Sequence, residues 1–236
     1  ADGGYQDGTF TINGDHLGST GAAANISVNG ITPSSIGVWS ATSVTLVDIP
    51  NTGTDSGTFT VTRASDSKAS NTSSAFYIYP QITSISAASF SDGGYQDGTF
   101  TLNGNHFGSG GLASNISVNG VAPSSIGVWS ATSVTGVDIS NTGTDSGVIT
   151  LTSPGTSKVS NNSATFYIYP QIASYTASQT DGDIQTGTIT ITGNHFGTGG
   201  GNSNIAINGV APSATIPKWG AGSINNVDIT NPGTAS

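Results

Sequence analysis

The sequence predicts an all-β protein built as β-sandwiches in tandem. Three observations carry that prediction: a ninety-residue internal period, apolar and polar residues alternating in short segments, and a composition poor in strong helix formers. The 236 residues include 34 glycines and no cysteine, methionine or glutamate. Thr, Val, Ile, Tyr and Phe are frequent instead, and these suit a pleated, half-buried surface. Helix is expected to be minimal.

The period comes first because self-similarity sets the architecture. Asp2-Gly-Gly-Tyr-Gln-Asp-Gly-Thr-Phe-Thr returns as residues 92–101, and most positions of the first ninety residues match their counterparts in the next ninety. A third, more diverged copy begins at Asp181. Asn13-Gly-Asp-His-Leu-Gly, Asn103-Gly-Asn-His-Phe-Gly and Thr192-Gly-Asn-His-Phe-Gly align, as do Trp39, Trp129 and Trp219. Ninety residues is the size of a domain rather than of a solenoid turn.

Each copy then resolves into strand candidates. In the second, residues 98–104 alternate so that Phe100 and Leu102 share one face and Thr99 and Thr101 the other, the pattern of a half-buried strand. Residues 115–120 repeat it with Ile116 and Val118 inward. Further candidates follow at 126–129, 133–139, 147–152, 164–169 and 172–177. Turn clusters such as Asn141-Thr-Gly-Thr-Asp-Ser-Gly separate them with residues that tolerate positive φ. About seven short strands per ninety residues suit a two-sheet sandwich of immunoglobulin type, without the cysteine pair of antibody domains.

The stretch Thr99-Phe-Thr-Leu-Asn-Gly-Asn-His-Phe-Gly, followed some sixty residues later by Phe166-Tyr-Ile-Tyr-Pro-Gln-Ile, resembles the IPT/TIG group of immunoglobulin-like domains. In that group a strand leads into a Gly-x-x-Phe-Gly turn and the last strand ends in an aromatic pair before proline. The resemblance covers all three copies. It implies a sandwich fold and a place in multidomain surface, receptor and extracellular proteins, and it transfers no catalytic residues.

The Phe-Tyr-Ile-Tyr-Pro runs divide the chain into a first repeat at 1–80, a complete second at 81–170 and a third at 171–236, with almost no linker. In this frame the first repeat lacks its opening strand and the third its last two. The missing piece corresponds to residues 147–180 and would bring the chain to three periods. An incomplete sandwich leaves backbone groups unpaired. The expectation is a window onto a longer repetitive chain, with the incomplete repeats completed by continuation of the same chain or by copies of itself.

Composition excludes whole classes of function. With 13 acidic and 4 basic residues and a net charge of −9, the chain lacks the concentrated Lys and Arg that phosphate-backbone binding needs, so no nucleic-acid partner is expected. No apolar run approaches the roughly 20 residues of a membrane span. No Gly-x-Ser-x-Gly elbow exists and no glutamate is present to act as a general acid, so no catalytic residue is assigned.

The remaining candidates each have a structural reading beside a functional one. His16, His106 and His195 occur once per repeat in a turn. A zinc site needs three or four converging ligands, so they read as turn residues. Asp2, Asp7, Asp92 and Asp97 lie on a glycine-rich turn and offer oxygen ligands for calcium, but the third copy reads Asp181-Gly-Asp-Ile-Gln-Thr-Gly, and turn chemistry also accounts for them. Asn25, Asn71, Asn115 and Asn161 each open an Asn-x-Ser triplet, a glycan acceptor that also arises by chance in a Ser- and Asn-rich chain. Trp39, Trp129 and Trp219 read as core rather than as sugar platforms. Tyr5 and Tyr95, replaced by Ile184 in the third copy, read as exposed aromatics. Lys68 and Lys158 read as exposed edge charges, with a crosslink to Asn as the alternative, and Lys218 does not align with them.

These readings converge on a non-catalytic structural protein: tandem sandwiches forming a semi-rigid extracellular fibre, filament or adhesin stalk at a cell surface. The alternatives are a carbohydrate- or receptor-binding adhesion module that takes surface glycans, and a virion or phage fibre or decoration protein. Four tryptic sites and missing Cys and Met suit life outside a cell.

Overall fold

The computed structural model describes residues 8–51, 56–86, 95–96, 98–140, 146–176, 187–207, 209–212 and 215–228. Asp2, Tyr5, Asp7, Asp92 and Asp97 lie outside the described residues. The described chain is nearly all β, with three single 3-10 turns and no α-helix, so none of its helices is long and apolar enough to cross a membrane.

The first period contributes β1 (Phe10–Asn13), β2 (Ile26–Val28), β3 (Ser43–Val47) and β4 (Phe59–Val61). The second contributes β5 (Gln81–Ser86), β6 (Phe100–Asn105), β7 (Ile116–Val118), β8 (Ser133–Val137) and β9 (Ile149–Leu151). The third contributes β10 (Gln171–Tyr175), β11 (Thr188–Asn194), β12 (Lys218–Gly220) and β13 (Ser223–Asp228). All pairings between these strands are antiparallel. They form β1–β3, β2–β4, β5–β6–β8, β7–β9 and β10–β11–β13–β12.

In the second period two of these sheets face each other across one core. Phe100, Leu102, Val134 and Val137 come from β6 and β8, and Ile116, Val118, Ile149 and Leu151 from β7 and β9. The period-2 alternation forces this, since every second residue of each strand turns to the same side. The first period builds the matching cluster from Ile12, Ile26, Val28, Val44, Val47 and Val61. The third has a smaller one around Ile191, Ile224 and Val227. The tryptophans are core-associated, as expected: each is partly buried against its cluster. Their Nε1 groups donate to the carbonyls of Leu17, Gly108 and Phe196 at 3.3, 3.2 and 3.0 Å.

Of the seven strand candidates between residues 98 and 177, four run as ladders in the second period and one as β10 at the start of the third, while two are held by isolated bridges. Around 126–129, the Thr135 hydroxyl intrudes into the hairpin and accepts from the Val128 N–H at 3.1 Å. Around 164–169 the segment changes partner midway, pairing antiparallel with Gly147 through Phe166 and parallel with Tyr95 through Ile168.

Just before that segment, serines stand in for main-chain carbonyls. Ser160 and Ser163 donate their N–H groups to the carbonyls of Leu151 and Ile149 and accept the N–H groups of those residues on their own Oγ atoms, at 3.0 and 2.9 Å. Ser70 and Ser73 do the same for Val61 and Phe59 in the first period. Buried β9 is thereby satisfied on one edge without a neighbouring strand.

A bulge recurs at one place in β3, β8 and β13, where Leu46, Gly136 and Asn226 take φ values of 50, 59 and 55°. Glycine and asparagine accept that left-handed backbone readily, and leucine does so at a cost.

Replacing Ser163 by Ala removes the acceptor for the buried Ile149 N–H. Urea unfolding followed by tryptophan emission is expected to show a loss of about 1–2 kcal/mol, with Ser163→Thr close to the parent.

Candidate functional site at the joints between periods

Where one period passes into the next, the described residues place His106, His195 and Lys158 in contact with the preceding period. Pro80 cannot donate to a ladder. Strand β5 starts immediately after it at Gln81, as β10 starts at Gln171 immediately after Pro170.

The crossing is tight. A Cβ on Gly104 would lie 1.9 Å from the Gln81 carbonyl oxygen and 2.6 Å from the Phe107 ring; on Gly193 it would lie 1.9 Å from the Gln171 carbonyl oxygen and 2.6 Å from the Phe196 ring. Only glycine lets the joint strand lie flat against β6 and β11 here. Asn105 Nδ2 donates to Gln81 Oε1 at 3.2 Å, and Asn194 Nδ2 to Gln171 Oε1 at 3.0 Å. From the other side, Asn161 clamps the strand's second residue: its Oδ1 accepts the Ile82 N–H at 2.8 Å and its Nδ2 donates to the Ile82 carbonyl at 3.1 Å. Ile82 is 6% exposed, whereas Ile172, its counterpart in the third period, is 66% exposed.

After each crossing the chain turns at a histidine in the left-handed region, with φ of 57 and 55° at His106 and His195, and His16 has the same backbone at 59° in the first period. The left-handed backbone agrees with the turn reading, and His106 and His195 also contact the preceding period. The His106 N–H donates to the Asn51 carbonyl of the first period at 3.2 Å. The His195 ring meets Tyr95 of the second edge-on, centroids 5.8 Å apart. His106 and His195 are buried, while His16 is exposed.

Two expectations are corrected here. Tyr95 is not an exposed aromatic: it is 1% exposed, its hydroxyl donates to the Gly98 carbonyl at 2.6 Å, and Phe100, Phe166 and His195 surround its ring. Its ring joins the core of its own period, with His195 of the next against its edge, which a position beside a turn did not reveal. Lys158 is not an exposed edge charge either. Its Nζ sits 3.7 Å from the centroid of the Tyr77 ring and 5.2 Å from that of Tyr79, both on the first period. A cation over an aromatic face is attracted by the ring quadrupole. The ammonium is thus directed to rings rather than to an asparagine.

Lys68, the counterpart of Lys158, is exposed. Near it Arg63 donates through Nε and Nη2 to the two carboxylate oxygens of Asp66 at 2.9 and 2.6 Å, and through Nη1 to the His16 carbonyl at 3.2 Å. The hydrogen bond from Arg63 holds the Asp66 carboxyl below its ordinary value.

Among the glycan-acceptor candidates, Asn25 and Asn115 each spend Oδ1 closing a 3-10 turn, accepting from the Ala22 and Leu112 N–H groups at 2.9 Å. Asn71 is exposed. A glycan on Asn161 Nδ2 would break its bond to Ile82. No group of three or more His, Asp or Glu side chains able to hold a metal occurs among the described residues.

Two outcomes follow. Replacing Lys158 by Gln is expected to cost about 0.5–2 kcal/mol and to broaden the distance distribution between spin labels on the first and second periods, with Lys158→Arg restoring both. Unchanged width in Lys158→Gln would remove the clamp. Because the folded-state value of Asp66 is depressed, its ion pair supports the fold above the ordinary aspartate value and is lost as pH falls through the lowered one. Carboxyl NMR should place the Asp66 midpoint below the ordinary value, and Arg63→Ala should return it.

No protein-family model matches the chain, and no curated protein matches it. Among the solved structures similar to it are two that were solved with oligosaccharides. One is a crystal structure with a xylogluco-oligosaccharide, 17% identical with a TM-score of 0.32, the match covering 99% of this chain and 54% of that one. The other is SGBP-B of the Bacteroides ovatus mixed-linkage glucan utilization locus in complex with a mixed-linkage heptasaccharide, 15% identical with a TM-score of 0.29, covering 76% of this chain and 47% of that one. The chain spans about half the length of each, and a likeness of this degree assigns it no ligand.

Proposed function

We propose that the chain is a non-catalytic spacer of an extracellular or cell-surface assembly, made of units at 1–80, 81–170 and 171–236 joined stiffly end to end. The IPT/TIG resemblance agrees with this reading. The observation that carries it is the joint: the Tyr79-Pro80-Gln81-Ile82 segment leaves no slack, is held against Gly104 and Asn161, and is flanked by the Lys158–Tyr77 contact. A unit whose exit runs straight into the next unit's first strand resists bending, because rotation would have to break main-chain pairing. Serine, threonine and asparagine in place of ion pairs keep the surface solvated at little charge, which suits an object that gains length by adding copies.

A strand of about seven residues at about 3.3 Å each, with its loops, gives roughly 40 Å per unit. Small-angle scattering of the 236-residue chain is expected to show an elongated particle with a cross-section of one unit and no ensemble of bent forms. A broad spread of inter-unit angles would sink the spacer reading.

A second reading, an adhesion module that takes a surface glycan, is favoured by Tyr167 and Tyr175, which are 47% and 55% exposed and offer ring faces for stacking on sugar. A glycan array decides it: binding that Tyr175→Ala abolishes supports the module, and signals at background remove it.

A further inference from the structure

The last residues of the second period are bonded along both edges before the chain leaves it. On one edge Phe166 exchanges both main-chain bonds with Gly147, at 2.6 and 3.0 Å, and the Ile168 N–H donates to the Ser146 hydroxyl at 2.7 Å. On the other edge stands the short segment 95–96, which precedes β6 in the chain. The Tyr95 N–H donates to the Tyr167 carbonyl at 2.8 Å, the Tyr169 N–H to the Tyr95 carbonyl at 2.7 Å, and Gln96 Nε2 to the Pro170 carbonyl at 2.8 Å. The bridge between Tyr95 and Ile168 is the one parallel pairing among the described residues.

Direction decides what these bonds do. The chain enters the period at Gln81, at the end where His106 and Lys158 meet the first period, and leaves at Pro170, at the end where His195 of the third lies against Tyr95. Segment 95–96 belongs to the entering part of the chain and 167–170 to the leaving part, and the two run the same way. Pulling the ends apart therefore drags 95–96 lengthwise back along 167–170. The three hydrogen bonds between them are strained together, whereas a hairpin opened from its end loses its bonds one at a time. β5 is loaded in the same lengthwise sense, drawn from Gln81 against its register partners on β6 from Asn105 to Thr101. Tyr95 anchors such a load: it is 1% exposed, its ring packs against Phe100 and Phe166, and its hydroxyl is bonded to the Gly98 carbonyl.

We propose that segment 95–96 and residues 167–170 form a mechanical clamp, the element by which the second unit holds against tension applied along the chain. Resistance to pulling is set by the barrier to unfolding rather than by equilibrium stability. The chain between 96 and 167 cannot be drawn out until the clamp slips, so its three bonds set that barrier. In sequence the first period repeats both halves, as Tyr5-Gln6 and Tyr77-Ile78-Tyr79-Pro80, with residues 5 and 6 outside the described ones. The use of the clamp rests on the spacer reading, since only a chain held at both ends is pulled. The two fail separately: bent forms in scattering sink the spacer and leave the clamp's strength as it is, and a weak clamp leaves the rod stiff.

The test holds the folded 236-residue chain at constant load in optical tweezers. It has no cysteine of its own, so Thr72→Cys and Ala173→Cys, both at exposed positions, place the handles on either side of the second unit. Unfolding is read as a lengthening of about 3.5 Å for each residue drawn out. Gln96→Ala and Tyr169→Pro each remove one bond of the clamp and are expected to shorten the folded lifetime under load about tenfold. Ser163→Ala weakens the fold from outside the clamp, so it is expected to melt earlier than the parent yet to keep a lifetime under load close to the parent's. Should Tyr169→Pro not fold, Gln96→Ala decides alone. A lifetime in Gln96→Ala equal to the parent's, or one shortened as much by Ser163→Ala, overturns the clamp.

Discussion

At Gly104 and Gly193 two chain segments and an aromatic ring compete for one place, and the absence of a side chain settles the competition. The carbonyl of the incoming Gln81 or Gln171 lies where a Cβ would be, and Phe107 or Phe196 closes the other side. From that contact the rest follows in order. The joint strand can lie flat on β6 or β11; the chain must then turn sharply, which His106 and His195 accomplish with positive φ. The turn carries those histidines against the preceding period, one by its N–H and the other by its ring. Local backbone geometry and the contact between periods are therefore one structural fact, not two.

A second economy explains the composition. A sandwich of short strands leaves many edges, and edges need partners. Here hydroxyls supply them: Ser70, Ser73, Ser160 and Ser163 each pair with a strand residue through both Oγ and backbone N–H. The pairing needs no charge and no extra strand. A chain solved this way can be rich in Ser, Thr and Asn and still bury β4 and β9. The few cations are then free for places where a specific contact is made, as at Lys158 and Arg63.

Comparison between copies separates what a residue is from where it is. Lys68 and Lys158, or Asn71 and Asn161, have the same identity and nearly the same local backbone setting. They differ in burial because a neighbouring segment covers one and not the other. Arg63 and Asp66 give way to Ser153 and Thr156 in the second period, and Ser153 is buried where Arg63 is half-exposed. Charge is kept on the exposed hairpin and removed where solvent is excluded, as the cost of burying an ion demands.

Period, alternation and turn chemistry are properties of neighbouring residues, so the all-β class, the inward face of strand candidates such as 98–104 and 115–120, and the placing of the histidines in turns could be read from the chain alone. Phe100 and Leu102 inward, Thr99 and Thr101 outward, needed only the two-residue repeat of a strand. The partners of Tyr95 and Lys158 could not be read, because Phe166 and His195 beside the one and Tyr77 and Tyr79 beneath the other lie some seventy to a hundred positions away and only folding brings them close. The same limit applies to the interrupted strands near 126 and 164, where a hydroxyl and a change of partner override local β-propensity. Sequence settles what each segment prefers in isolation; the joint, where one period's main chain meets another's side chains, is decided by long-range packing that no local pattern encodes.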